Sequence, residues 1–326
     1  MKTHSFFFES IYNRAMDKEI NGIKVSPIAL GCDSKPFKFG FDCTNILDDM
    51  LKLGINLFDT ARGYGHSEEA LGKWIKLRNN RDKIFIYTKG CLPGLFSRMN
   101  PKALRHDIET SLKTLGTYID CYLFHRDDKR CDLKVMFGIL NEYVAKGLIK
   151  SYGVSNWHKE RIEEANRICK ENGWPAISIV SNNMTAVKWV KDPWGGGDGC
   201  VSISRDKNEI EYYKANQIPM MSYSPLARGF LTGKVKSDYS ATWNNIDGAS
   251  RRAYLSKENL KVLNRIEALA RKKKTTVANI SLSYLASKGM NIFPVVGTTS
   301  VERMKENLNA ISNPLTEEEV KIIEEE

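Results

Sequence analysis

The chain has 326 residues, and its 49 Lys and Arg outnumber its 39 Asp and Glu, which gives a formal net charge of +10 at pH 7. Hydrophobic residues make up 42% and charged residues 27%, a balance typical of a soluble globular protein and unlike that of a disordered chain. No apolar run approaches the roughly 18 residues that a transmembrane helix needs, so no membrane span is expected.

Location and partners are predicted from the distribution of residue types. The first nine residues contain too short an apolar run for a signal peptide, so a cytoplasmic location is expected. Seven dispersed cysteines without a C-x-x-C pair predict reduced thiols rather than disulfides or a zinc site. Most basic residues alternate with acidic ones, which favours a solvated surface over a nucleic-acid interface. We therefore expect neither a nucleic-acid partner nor a membrane partner.

Short β-like runs alternate with amphipathic helical stretches from residue 27 almost to the end of the chain. The predicted strands cover residues 27–31, 55–59, 84–89, 118–125, 150–154, 178–182, 219–224 and 292–296. Helices are predicted in the segments between these strands, over residues 42–53, 101–115, 133–146, 158–171, 257–273 and 276–288. Eight strand–helix units in one chain favour a closed (β/α)₈ barrel. The alternative, an open dinucleotide-binding sheet, lacks a G-x-G-x-x-G after the first strand.

Three further segments complete the predicted organisation. Asn21-Gly22 is a strong hairpin signal ahead of the first barrel strand, and a hairpin there would close the bottom of the barrel. Residues 183–205 and 227–254 exceed ordinary loop lengths, so they are expected to be binding loops at the C-terminal mouth. We predict a single domain over residues 1–326, in which residues 1–18 form an N-terminal extension.

Four chemically active side chains end three neighbouring predicted strands. Asp59 ends the second strand and Tyr64 follows it, Lys89 ends the third, and His125 ends the fourth. Because catalytic groups in barrels collect at the C-terminal ends of strands, these side chains are expected to meet at one mouth. An ammonium beside a phenol favours the phenolate, and a carboxylate would keep that ammonium charged. The set predicts acid–base chemistry on an oxygen whose charge changes, as when a carbonyl becomes an alcohol.

At these residues the chain resembles the aldo-keto reductase superfamily. The resemblance covers residues 21–310. It is carried by the stretches Asn56-Leu-Phe-Asp-Thr-Ala-Arg-Gly-Tyr-Gly-His-Ser-Glu68, Asp120-Cys-Tyr-Leu-Phe-His125, Gly147-Leu-Ile-Lys-Ser-Tyr-Gly-Val-Ser-Asn156, Tyr223-Ser-Pro-Leu-Ala-Arg-Gly-Phe-Leu-Thr-Gly-Lys234 and Gly297-Thr-Thr-Ser-Val-Glu-Arg-Met-Lys-Glu-Asn307.

The resemblance implies a (β/α)₈ barrel that binds NADPH and reversibly reduces small aldehydes or ketones. It implies that Tyr64 is the general acid, that Lys89 lowers its pKa, that Asp59 pairs with Lys89, and that His125 orients the carbonyl. It also implies a set of cofactor-binding residues, which are Ser155, Asn156, Asn182, Tyr223, Ser224, Leu226, Lys234, Gly297, Thr299, Arg303, Glu306 and Asn307. Arg303 would grip the 2′-phosphate, and NADPH is therefore expected in preference to NADH.

The sequence departs from the family pattern in the expected site. Asn182 stands where a glutamine is expected beneath the nicotinamide, and Gly297 replaces a lysine found in some members. The long 183–205 loop carries Trp189 and Trp194, and with Trp157 these rings are expected to line a wall for a sugar-like or aromatic substrate.

Two other functions compete with carbonyl reduction at this stage. A nicotinamide-binding regulatory protein resembling the potassium-channel β subunits would keep the barrel and cofactor but act by association. A Schiff-base aldolase would use Lys89 as nucleophile, but such a lysine needs a lowered pKa, whereas Asp59 would keep it protonated. The sequence favours the reductase.

Overall fold

A computed structural model describes residues 18–93, 97–194, 199–240 and 244–325. It opens with a hairpin of strands β1 (Lys18–Ile20) and β2 (Ile23–Val25), paired antiparallel. Asn21 and Gly22 connect them with φ of 52° and 75°, the left-handed backbone that a tight hairpin turn needs. The Asn56 side chain, just before the second barrel strand, donates to the Lys24 carbonyl at 3.1 Å. The predicted hairpin is therefore confirmed, and it is anchored at the N-terminal end of a barrel strand.

Eight parallel strands follow and form a closed barrel, which confirms the predicted (β/α)₈ fold. They are β3 (Ala29–Gly31), β4 (Leu57–Asp59), β5 (Phe85–Gly90), β6 (Ile119–Phe124), β7 (Ile149–Ser155), β8 (Ile179–Ser181), β9 (Met220–Tyr223) and β10 (Ile292–Val296). Their order around the barrel is β10-β3-β4-β5-β6-β7-β8-β9. Apart from Lys150 and Tyr223, every residue in these strands is buried, as expected for parallel strands covered on both faces.

The described ranges contain twelve α-helices. They are α1 (Lys35–Lys38), α2 (Thr44–Lys52), α3 (Ser67–Arg78), α4 (Pro101–Leu115), α5 (Leu133–Ala145), α6 (Lys159–Glu171), α7 (Lys207–Asn216), α8 (Gly248–Tyr254), α9 (Lys257–Lys272), α10 (Val277–Ala286), α11 (Val301–Ser312) and α12 (Glu317–Glu324). Within those ranges no helix has the length and apolarity to cross a membrane.

Local sequence signals set several helix ends. Helix α4 begins where the Asn100 side chain accepts from the Ala103 backbone N–H, and it ends at Gly116, whose φ is 68°. Helix α2 begins two residues later than predicted, with the Asp42 carboxylate accepting from the Thr44 N–H at 2.9 Å. The prediction of a loop throughout 227–254 is wrong at its end, where Asp247 caps α8 by accepting from the Ser250 N–H.

The backbone contacts divide the chain into two compact units. One contains the hairpin, the chain from there to Ser181, and Val295–Val301. The other contains Asn182–Pro294 and the chain from Glu302 onward. The single domain predicted over 1–326 stays a prediction, and residues 1–17 of its proposed extension lie outside the described residues.

Candidate active site

The first unit brings Asp59 and Lys89 together at the ends of neighbouring strands. Asp59 is the last residue of β4 and pairs in register with Tyr87 of β5, two residues before Lys89. Asp59 is 5% exposed and Lys89 is 2% exposed. The Lys89 ammonium donates to the Asp59 carboxylate, and it also donates to the Thr60 carbonyl at 3.0 Å. A charged amine is thus held in a nearly dry site by an anionic partner and a backbone acceptor.

Tyr64 lies in a tight turn that follows β4. Its backbone N–H donates to the Ala61 carbonyl at 3.0 Å, and its own carbonyl accepts from the Ser67 N–H at 3.2 Å. Gly65 has a φ of +61°, and a Cβ there would lie 2.4 Å from the Lys38 carbonyl oxygen, so the turn requires glycine. The turn brings the Tyr64 hydroxyl oxygen to 3.3 Å from the Lys89 Nζ, which donates to it.

His125 follows β6 and completes the group. Its ring centroid lies 5.6 Å from that of Tyr64, with the two ring planes at 82°. Its backbone N–H donates to the Gly90 carbonyl at 2.9 Å, which fixes the residue against the end of β5. Burial, reinforced by the nearby charges of Lys89 and Arg126, lowers the pKa of His125 well below its usual range. The imidazole is therefore neutral at pH 7.

Burial also sets the protonation of the other groups around the amine. It raises the pKa of Asp59 above its usual range, and the Lys89 ammonium opposes that shift. The Cys32 thiol and the Tyr87 phenol have their pKa values raised well above normal by burial and then by the nearby Asp59 carboxylate. Both groups therefore stay protonated and neutral at pH 7, and Asp59 is the anion that pairs with the Lys89 ammonium. The four predicted catalytic side chains thus form a carboxylate, ammonium, phenol and imidazole cluster.

Two predicted cofactor residues belong to the same unit. Ser155 ends β7, and its hydroxyl donates to the Ser181 carbonyl at 2.8 Å. Asn156 has a left-handed φ of 62°, and its side-chain amide donates to the His125 carbonyl at 3.1 Å and to the Ser155 hydroxyl at 2.9 Å. A non-glycine residue in that region stores strain, which is common at ligand sites. The amide and hydroxyl are therefore rigidly oriented beside His125.

In the second unit, Asn182 directly follows β8 in the sequence, and Tyr223 is the last residue of β9. Asn182 is completely buried, and its amide donates to the Tyr213 hydroxyl at 3.3 Å. The backbone carbonyl of Asn182 accepts from the Tyr223 backbone N–H at 3.4 Å. The Tyr223 hydroxyl donates to the Val201 carbonyl at 3.2 Å, which orients a partly exposed ring. Tyr213 thus holds the side chain of Asn182, and Tyr223 holds its backbone.

The turn after β9 carries the next three predicted cofactor residues. Ser224 is partly exposed and has a φ of 50°, while Ala227 and Arg228 have φ values of 50° and 51°. Leu226 is partly exposed and Lys234 is exposed. Three non-glycine residues in the left-handed region within five positions make this an unusually strained backbone segment.

The remaining cofactor residues lie around the start of α11. Gly297 and Thr299 are exposed in the segment after β10, and the helix begins at Val301. Arg303 and Glu306 are exposed on that helix, and Asn307 is 8% exposed. A cation in the first helical turn is electrostatically unfavourable on its own, because the helix N-terminus is already positive. The same helix N-terminus would favour a bound anion.

The three tryptophans that the sequence grouped as a substrate wall differ in burial and in contacts. Trp157 is completely buried, stacked on Phe124 with centroids 6.1 Å apart, and in edge contact with Phe137. This placement in the core does not support a role for Trp157 in a wall. Trp189 and Trp194 do meet, with centroids 6.1 Å apart, and Trp194 is 47% exposed. Trp194 also contacts the Tyr223 ring at 6.0 Å.

The sequence reasoning gives no role to the side chain of Glu68, although it lies inside the motif quoted for the family resemblance. In the structure Glu68 is only 1% exposed, and its carboxylate pairs with Arg62 at 2.7 Å. The sequence offers little signal for this role, because an acidic residue in the first turn of a helix is common and its burial is visible only in the structure.

Comparison with known proteins relates the chain to one family. A sequence model of the aldo/keto reductase family matches residues 42–326. The chain is 28% identical to an NADP(+) aldo-keto reductase, yakc, of Schizosaccharomyces pombe, over 94% of this chain and 90% of that protein. It is 27% identical to aldo-keto reductase str7 of Strobilurus tenacellus, over 84% and 78%. It is 25% identical to a norsolorinic acid reductase of Aspergillus flavus, over 96% and 80%.

The chain therefore belongs to the aldo/keto reductase family of NAD(P)H-dependent oxidoreductases. Members of this family act on small carbonyl substrates.

Proposed function

We propose that this protein reduces an aldehyde or ketone, including sugar-like or aromatic carbonyls, to an alcohol with NADPH, and that Tyr64 is the general acid. The observation that carries the proposal is the chain of contacts from the buried Asp59 through the buried Lys89 to the hydroxyl of the partly exposed Tyr64, 3.3 Å from the amine. Acid–base groups of this kind contribute typically about 10²–10⁴-fold to a rate.

The residues present fit a nicotinamide cofactor in kind. The hydroxyl of Ser155 and the amides of Asn156 and Asn182 are donors and acceptors suited to a carboxamide. The partly exposed ring of Tyr223 suits a flat heterocycle. Arg303, at a helix N-terminus, suits a phosphate monoester, and this favours NADPH over NADH. Ser224, Leu226, Lys234, Gly297, Thr299, Glu306 and Asn307 would complete the cofactor site. When it is bound, the chemistry that this cofactor supplies is the hydride that reduces the carbonyl carbon.

The chain's own residues would handle the proton. Because Lys89 donates to the Tyr64 oxygen, the Tyr64 hydrogen is not used in that contact and can be given to the substrate oxygen. The ammonium then stabilises the phenolate that is left, and Asp59 keeps the ammonium in position. The neutral imidazole of His125, beside the Tyr64 ring, can donate a second hydrogen bond to the same substrate oxygen without repelling the ammonium. In the oxidative direction the Tyr64 phenolate would take the proton back.

The substitution Tyr64→Phe tests this assignment. Turnover with a panel of aldehydes and keto-sugars should fall about 10²–10⁴-fold, because the proton donor is lost. The Kd for NADPH, measured by fluorescence titration, should change less than about threefold, because the hydroxyl acts on the transition state. Tyr239→Phe, at an exposed tyrosine, is the matched control. Full turnover in Tyr64→Phe would rule out Tyr64 as the acid.

A further inference from the structure

A buried carboxylate that the reaction itself does not use lies beneath the turn of Tyr64. Glu68, in the first turn of α3, is 1% exposed. One carboxylate oxygen accepts from the Arg62 guanidinium at 2.7 Å, and the other accepts from the Thr88 hydroxyl at 2.7 Å. Both partners are sequence neighbours of the candidate catalytic groups. Arg62 is two residues before Tyr64, and Thr88 immediately precedes Lys89.

These contacts join the segment that carries Tyr64 to the strand that carries Lys89 at two points. The Arg62 backbone N–H donates to the Lys89 carbonyl at 2.9 Å, so Arg62 is tied to β5 through its backbone as well as through Glu68. A second bond, between the hydroxyls of Thr60 and Ser67 at 2.7 Å, closes the base of the same turn. The carboxylate of Glu68 therefore links the turn, the helix and the strand at one point.

The chemistry of this link argues for a specific use. A buried carboxylate loses its hydration, and its pairing with Arg62 does no more than offset that loss, so an apolar residue could serve stability as well. Hydrogen bonds to charged groups are shorter and more directional than neutral ones. Such a link keeps a fixed geometry, and the geometry it fixes is that of the segment carrying Tyr64 against the strand carrying Lys89.

We propose that Glu68 and Arg62 are positioning residues that set the distance between the Lys89 amine and the Tyr64 hydroxyl. The proposal rests on the proposed role of Tyr64 as the general acid. Loss of the link would let the turn move relative to β5, which would weaken the stabilisation of the phenolate. The titratable side chains near Tyr64 include Lys89, which donates to its hydroxyl, His125, which lies against its ring, and Tyr87, which interacts with it electrostatically. Of these, His125 and Tyr87 are held neutral by burial, so the change would be registered through Lys89.

The test is Glu68→Gln, which keeps the shape and removes the charge. We expect kcat for reduction to fall about 10–100-fold while the Kd for NADPH changes less than about threefold, since only the transition state uses the contact. Reduction needs protonated Tyr64, so its rate falls as the pH rises. The midpoint of that fall should move upward by about one pH unit, toward the value of an isolated phenol near 10. Arg62→Leu should give the same profile, and Arg62→Lys should restore part of it.

Asp120→Asn is the matched control. Asp120 is also buried and pairs with one arginine, Arg81, at 2.6 Å. It accepts from the Ile86 backbone N–H at 2.7 Å, near the start of β5, whereas Thr88 and Lys89 lie near the end of that strand. It should lower the thermal midpoint and leave the pH profile of kcat unchanged. The proposal is overturned if Glu68→Gln keeps the wild-type profile, or if its kcat differs from that of Asp120→Asn by less than about twofold.

Two further measurements keep the outcome decisive. If Glu68→Gln does not fold, Thr88→Val removes the other half of the link, and an unchanged pH profile in that variant overturns the proposal. Tyr64→Phe separates the two hypotheses. If Tyr64→Phe is active, the proposed acid is wrong and the positioning role falls with it. If Tyr64→Phe is inactive but Glu68→Gln and Arg62→Leu behave as wild type, only the positioning role is wrong.

Discussion

The groups around Tyr64 and the groups expected to hold the phosphates of the cofactor are built in opposite ways. Asp59 and Lys89 stand on barrel strands, almost without exposure, and each is fixed by contacts to the other or to the backbone. Arg303 and Lys234 are exposed, on a helix and a surface turn. A proton donor needs its geometry before the substrate arrives, because reorganisation during the reaction would cost rate. A phosphate can be bound by side chains that order around it.

The substitution Lys89→Met removes the buried amine and is the strongest test of the buried half of this comparison. Turnover should fall about 10²–10⁴-fold, because Tyr64 loses the cation that stabilises its phenolate. Stability should also fall, by about 3–5 kcal/mol, because Asp59 is left buried without its partner. Steady-state kinetics and urea denaturation measure the two effects.

The double variant Asp59→Asn with Lys89→Met is the control for that experiment. Removing both charges should restore most of the stability, since no unpaired buried charge remains. It should not restore turnover. Recovery of activity in the double variant would show that Lys89 acts through folding and not through Tyr64.

Arg303→Ala tests the exposed half of the comparison. Affinity for NADPH should fall about 10–100-fold, because a charge-assisted contact to phosphate is lost, while affinity for NADH and kcat at saturating NADPH stay as in the wild type. Fluorescence titration with both cofactors measures this. Lys102→Ala, an exposed lysine at the start of α4, should change neither affinity. Equal losses for NADPH and NADH would contradict contact with the 2′-phosphate.

The smallest expected effect concerns His125 and pH. Its pKa in the folded protein lies well below the value of about 6.5 expected on unfolding, because burial and Lys89 disfavour the charged ring. Below pH 6.5 the unfolded chain binds a proton that the folded chain does not, so this residue's effect on stability is unfavourable there and absent above it. His125→Gln should therefore reduce the loss of stability between pH 7.5 and 5.5 by about 1 kcal/mol.

Urea denaturation at those two pH values is the measurement, and His106→Gln, at an exposed position, is the matched control. An unchanged pH dependence of stability in His125→Gln would mean that the folded protein protonates this ring as readily as the unfolded chain does.

Features fixed by local sequence could be predicted. All eight barrel strands were predictable because short β-like runs alternate with amphipathic helical stretches along the chain, and the hairpin was predictable from Asn21-Gly22. Helix α8 was not, because its seven residues, including two arginines, carry no apolar stripe, and its start depends on Asp247 accepting from Ser250.

Side-chain direction was the main limit at the site. Trp157 follows Asn156 directly, but only the packing of Phe124 and Phe137 turns its ring inward. The pairing of Arg62 with Glu68 was also beyond the sequence, because it depends on the turn at Tyr64 bringing residues six apart into contact. Asp59, Lys89 and His125 were accessible because parallel strands align their ends, whatever the loops do.

The glycine that closes the turn of Tyr64 also constrains how this enzyme could evolve. At position 65 any larger residue would need both a left-handed backbone and space already taken by the Lys38 carbonyl, 2.4 Å from where its Cβ would lie. The turn that carries Tyr64, the proposed acid, therefore tolerates few substitutions at position 65. We expect substitutions that change substrate preference to occur instead in the long segments that carry Trp189, Trp194 and Arg228, outside the turn of Tyr64.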